Sequence, residues 1–99
     1  MKLQWLNLSG TQVSDLELIN TLTELQGIGL ANTQVINIEP IKKLTNLQML
    51  NLSETKVRDL ESIKSLTKLE SLHIDGCKNI TDKQVEDLQK ALPELKISR

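Results

Sequence analysis

The chain has 99 residues, enough for one domain of ordinary size. Hydrophobic residues make up 38% and charged residues 25%, a balance unlike that of a disordered or membrane-embedded chain. Lys plus Arg is 12 and Asp plus Glu is 13, so the net charge of −1 leaves no long-range field to draw in nucleic acid or an anionic membrane.

From Leu3 onward the chain repeats itself every 22 residues. Block one is 3–24 (LQWLNLSGTQVSDLELINTLTE), block two is 25–46 (LQGIGLANTQVINIEPIKKLTN) and block three is 47–68 (LQMLNLSETKVRDLESIKSLTK). Block four opens at Leu69 in the same way, then departs and runs to 91, leaving a terminal segment 92–99. Within a block, Leu50-x-Leu52 alternates with period two, which predicts a short strand with one apolar side. A strand that short cannot stand alone, so each block must bury its aliphatic residues against its neighbours. Strands are expected near Gln4–Leu8, Gln26–Leu30, Gln48–Leu52 and Glu70–Ile74, parallel and about 4.8 Å apart. Between them, Asp15-Leu16-x-x-Ile19-x-x-Leu22 and Leu60-x-x-Ile63-x-x-Leu66 step by three, which suits 3₁₀ turns. Pro40 argues against a continuous helix in block two. Block four differs: Thr81-Asp82-Lys83-Gln84 has a capping-box pattern, Val85, Leu88 and Leu92 follow at helical spacing, and Pro93 stops the run. One α-helix is predicted over Asp82–Ala91. A fifth strand follows near Glu94–Ile97, with either Leu92 or Leu95 as the block opener.

The recurring phrase is L-x-x-L-x-L-x-x-T/C-x-V/I. It resembles the signature of the leucine-rich repeat proteins, L-x-x-L-x-L-x-x-N/C-x-L, over essentially the whole chain. The 22-residue length and the phrases TQVSDL and LTNLQMLNLS look most like the bacterial internalin-type and SDS22-like classes. GCKNITD followed by KQVEDLQKALPELKI looks like the cysteine-containing class that closes such arrays. The resemblance implies an α/β fold: a right-handed solenoid with a curved parallel sheet of about five short strands, 3₁₀ turns on the convex side and one C-terminal α-helix. All 99 residues would form one such domain, the C-terminal part of a longer array. Block one has no cap, so Leu6, Leu8, Val13, Leu16 and Ile19 are expected to lie open on one side, with self-association or further repeats covering them.

Little in the sequence points to catalysis. Thr11, Thr33, Thr55 and Cys77 fill the Asn/Cys place of the signature, where inward polar side chains hydrogen-bond backbone at the strand-to-loop bend. Cys77 then reads as a small buried residue rather than a thiol nucleophile, which would need an electropositive, exposed setting. Cys77 is the only cysteine and His73 the only histidine, so a disulfide and a multi-histidine metal centre are excluded. His73, Asp75, Glu70 and Glu54 share one patch, read as solvated lining. Gly27-Ile28-Gly29 lacks the third glycine and the helix start of a phosphate loop, and reads as a bare patch on the sheet. No cofactor and no metal are expected.

Trp5, the sole aromatic residue, falls at the third place of its block, where Gly27, Met49 and Ser71 stand in the next three. It is either a binding anchor on the concave face or a shield over the first repeat. The concave columns hold Gln4, Trp5, Asn7, Gln26, Gln48, Met49, Asn51, Glu70, His73 and Asp75, a mixture suited to recognising protein. The expected function is therefore a protein–protein interaction module, with no nucleic-acid or membrane partner. The competing class is a substrate-presenting segment of a larger bacterial effector, ligase or GTPase whose catalytic domain lies elsewhere. With no apolar leader and no run of about 20 apolar residues, a cytoplasmic location is expected by default, or an extracellular one within a longer secreted parent.

Overall fold

The computed structural model describes residues 4–99; Leu3, the expected opener of block one, lies outside them. Five strands form one parallel sheet in chain order: β1 (Trp5–Asn7), β2 (Gly27–Gly29), β3 (Met49–Asn51), β4 (Ser71–His73) and β5 (Lys96–Ser98). The register carries the repeat directly: Leu6 stands opposite Ile28, Ile28 opposite Leu50, and Leu50 opposite Leu72. These central residues turn inward, and Ile28, Leu50 and Leu72 have no exposed surface. Their neighbours must then face the other side of the sheet.

The ladder is anchored just before each strand. The Gln4 carbonyl accepts the Gln26 and Gly27 N–H groups at 2.8 and 3.1 Å. Gln26 and Gln48 repeat the arrangement toward the next strand. The chain then bends away through one residue of positive φ per repeat: Gly10 (76°), Asn32 (57°), Glu54 (60°) and Gly76 (78°). Glycine and asparagine suit that conformation, whereas a glutamate there is strained by its Cβ. Glu54→Gly is therefore expected to raise stability by about 0.5–1 kcal/mol, after allowing for the entropy of an added glycine, as a higher urea midpoint.

The threonines sit at this bend. Thr33 and Thr55 are buried, and their hydroxyls donate to the Leu30 and Leu52 carbonyls at 2.8 and 2.7 Å. Cys77 is buried as well, and its thiol donates back one repeat to the same Leu52 carbonyl at 2.9 Å. Thr11 makes the equivalent bond to the Leu8 carbonyl at 2.6 Å, but is exposed at the β1 end of the row. Thr33→Val should cost about 1–2 kcal/mol by orphaning a buried carbonyl, and Thr11→Val close to nothing, when the two are compared by chemical denaturation.

Three 3₁₀ turns return the chain along the convex side, at Glu17–Thr21, Glu39–Lys43 and Glu61–Ser65. Each is started by the residue two before it. The Asp15, Asn37 and Asp59 carboxyl or amide oxygens accept the Glu17, Glu39 and Glu61 N–H groups at 2.9, 2.9 and 2.8 Å. That column is an Asx turn repeated at the 22-residue period. The first turn packs on the second, which corrects one expectation: Leu16 and Ile19 are buried rather than open. Leu6, Leu8 and Val13, nearer the sheet edge, are half-buried.

The fourth crossing is the α-helix α1 (Asp82–Ala91), over the range the sequence predicts. The Thr81 hydroxyl accepts the Gln84 N–H at 3.2 Å, half of a capping box. Gln84 does not close the box. Its Oε1, the atom that would accept the Thr81 N–H, is buried without a partner, while its Nε2 donates to the Arg58 carbonyl at 2.8 Å and ties the helix to the preceding repeat. Leu88 and Leu92 are buried beneath it. The last strand differs from expectation. Leu95, not Leu92, makes the opener's bond, its N–H reaching the Leu92 carbonyl at 3.1 Å as Leu69 reaches Leu66 at 3.0 Å. The strand then forms one residue sooner after its opener, so Ile97 stands opposite Leu72 and β5 is Lys96–Ser98 rather than Glu94–Ile97. No helix among the described residues is long and apolar enough to cross a membrane.

Candidate functional site

The outward places of the strands form two columns. One runs Trp5, Gly27, Met49, Ser71 and Lys96; the other runs Asn7, Gly29, Asn51, His73 and Ser98. Gln4, Gln26, Gln48 and Glu70 precede the strands, and their backbone carbonyls are held by the next strand. Nine of the ten residues singled out from the sequence stand in these places, and Asp75 follows β4 by two residues. Lys96 and Ser98 were missed, because their columns depend on the register of β5.

Trp5 is 56% exposed, yet its indole is not free of the protein. The six-membered ring lies over Gly27, where a Cβ would collide with it. This contact covers Gly27 although its place faces outward. One part of the ring thus covers Gly27 of the second repeat, not the first repeat, and the rest meets solvent. Gly29 is similarly confined, with the Asn7 Oδ1 2.8 Å and the Ser9 Oγ 3.1 Å from where a Cβ would stand. Beside the indole is an open depression of ≈ 340 Å³ lined by Trp5, Leu6, Asn7, Ser9, Gly29, Met49 and Asn51. The indole fills the space over Gly27, and the gap lies over Gly29, with Trp5 and Met49 among the residues that flank it.

The polar lining is held from behind. The Asn7 and Asn51 Oδ1 atoms each accept a backbone N–H two residues on, Ser9 and Ser53, both at 3.0 Å. The Ser9 Oγ accepts the Ala31 N–H at 3.2 Å. Around β4 the face carries Glu54, Glu70 and Asp75, and beyond them Lys96 stands in the outward column of β5. Asp75 accepts from the Ser98 hydroxyl at 3.0 Å and the Ser53 hydroxyl at 3.4 Å, which orients a carboxylate without neutralising it. The Glu54 carboxyl lies against Gly76, 2.8 Å from where a Cβ would stand. Among the described residues no three His, Cys, Asp or Glu side chains are grouped so as to hold a metal.

Comparison with known proteins agrees with this architecture. A family model described as leucine-rich repeats (2 copies) matches residues 45–90. A leucine-rich repeat protein of Leptospira interrogans is similar in structure, with a TM-score of 0.87 and 30% identity over 98% of this chain. An internalin, InlF, of Listeria monocytogenes gives 0.87 and 27% over 97%. Internalin C2 of the same organism gives 0.81 and 31% over 98%. No curated protein matches the sequence. This chain is a leucine-rich repeat protein. It spans 25%, 27% and 45% of the length of those three structures.

The indole–glycine contact is checked by fluorescence, since Trp5 is the only tryptophan. Gly27→Ala should swing the ring into solvent and shift its emission to the red. Stability should change by less than about 1 kcal/mol, because the displaced group is a surface side chain and not the core.

Proposed function

We propose that this chain is a protein–protein interaction module whose concave face is the binding surface. Trp5 and Met49 are its apolar anchors. Gln4, Asn7, Gln26, Gln48, Asn51, Glu70, His73 and Asp75 form the adjustable polar surround. The observation that supports this most is the exposed Trp5 beside an open depression, in a face otherwise lined by amides and hydroxyls. Exposed tryptophan set within polar residues has the composition of a binding hot spot. A stacked-repeat sheet suits such use, because burial of its aliphatic side specifies the scaffold and leaves the outward columns free to vary. The acidic residues near β4 favour a partner with a basic element at that end.

Convex carboxylates contrast with these. Glu39 and Glu61 are paired with Lys42 and Lys64 at 3.1 Å. A pull-down with wild type, with Trp5→Ala plus Met49→Ala, and with Lys42, Lys43 and Lys64 changed to alanine tests the assignment. Loss of specific partners is expected only in the first variant, with affinity down about thirtyfold or more, equivalent to about 2 kcal/mol. Loss in the convex variant alone refutes it.

A further inference from the structure

This inference rests on the concave-face reading and names the occupant. We propose that the depression beside Trp5 seats a proline-rich segment in the polyproline II conformation. The segment is laid across the strands, with a basic residue toward β4.

The first argument is the polarity of the lining. Asn7 and Asn51 each use the amide oxygen on a loop N–H, so the group each turns to a ligand is its Nδ2 donor. The Ser9 oxygen already accepts the Ala31 N–H, which leaves its hydrogen to donate. The lining is thus uncharged and rich in fixed donors, and it calls for carbonyl oxygens. A polyproline II segment has no internal hydrogen bonds, so its carbonyls are available.

The second argument is spacing. Asn7 lies on β1 and Asn51 on β3, two strands apart in one column. At about 4.8 Å per strand the separation is roughly 9.6 Å. Polyproline II repeats every three residues, at about 9.3 Å. Residues i and i+3 therefore match the spacing of the two strands that carry the asparagines. A β-strand repeats on one side at about 6.8 Å and falls out of step.

The remaining arguments are apolar contact and charge. The exposed part of the indole beside Gly29 offers a flat surface for a prolyl ring, and the Met49 thioether is an adaptable opposite wall. Glu70 and Asp75 flank β4, two strands beyond β2, and have no ionic partner among the described residues. β4 lies one strand, about 4.8 Å, beyond Asn51 on β3, so a Lys or Arg one or two residues past the second carbonyl reaches them at about 3.1 Å per residue, short of Lys96 on β5. A neutral oligosaccharide would also stack on an indole, but has no charge to answer those carboxylates.

Trp5 reports on its own site. The whole chain is titrated with three probes while Trp5 emission is read: an acetylated proline-rich decapeptide ending in arginine, a glycine–serine decapeptide with the same arginine, and a neutral β-linked hexasaccharide. A saturable change is expected with the proline-rich peptide, weakened by salt, with the glycine–serine peptide about tenfold weaker or more. Asn51→Asp separates recognition from folding. Its carboxylate still accepts the Ser53 N–H, so the melting temperature should hold, but the donor is gone. Affinity should fall about tenfold or more even though the added charge attracts arginine. The inference is overturned by silence toward the proline-rich peptide, by equal affinity for the glycine–serine peptide, by a response to the hexasaccharide, or by wild-type affinity in Asn51→Asp. A protein partner that is lost on Trp5→Ala plus Met49→Ala, yet does not compete with the proline-rich peptide, overturns this inference alone and leaves the concave-face reading standing.

Discussion

No repeat of this chain can bury its own leucines. A three-residue strand and a five-residue 3₁₀ turn enclose nothing, so Leu30, Leu50 or Leu60 leaves water only because the next coil lies against it. Everything else follows from that constraint. The first three coils are equal in length, so their aliphatic columns meet at a 22-residue offset, while the fourth, which carries α1, brings Ile97 opposite Leu72 at an offset of 25. They must also be parallel, because each enters the sheet from the same side. The polar backbone at each bend needs partners that travel with it, which the Asx oxygens, the threonines and Cys77 supply.

How much of this was legible depended on whether a feature repeats. Strands one to four, the convex turns, the inward threonines and the range of α1 all follow from periodicity or from a local capping signal. What escaped was set by contacts that do not repeat. The start of β5 depends on how α1 ends, and the Leu92–Leu95 turn places Ile97 where either sequence reading alone would not. Leu16 and Ile19 were expected to be open because block one has no cap. The second turn covers them. Gln84 matches a capping box locally, but a carbonyl on the neighbouring coil takes its amide.

The candidate site shows the same division. That Trp5 and Met49 share a column was readable, since register follows the repeat. That the indole would lie down on Gly27 was not, because a side-chain rotamer has no periodic signature. The asparagines are the subtler case. Asn-x-Ser occurs in two blocks as part of the scaffold phrase, and its structural role is to bridge the strand to its loop. The same bond fixes which end of the amide meets solvent. A scaffold requirement thereby sets the chemistry of the face, and Gly29 between them makes room for it.

The first and last described coils differ in cover. Over the last lie α1, the Gln84 amide and the ion pair of Arg99 with Asp82 at 2.7 Å; in the first, Leu6, Leu8 and Val13 are half-covered and Thr11 is exposed. In a structure whose stability is a sum of neighbour terms, a molecule that touches several coils adds to several of those terms at once. The Trp5 depression spans the first three coils. A ligand seated there would hold β1 to β3 together, and its binding free energy would add to their interfaces. Occupancy of the face would then be visible as slowed amide exchange in the coils beneath it.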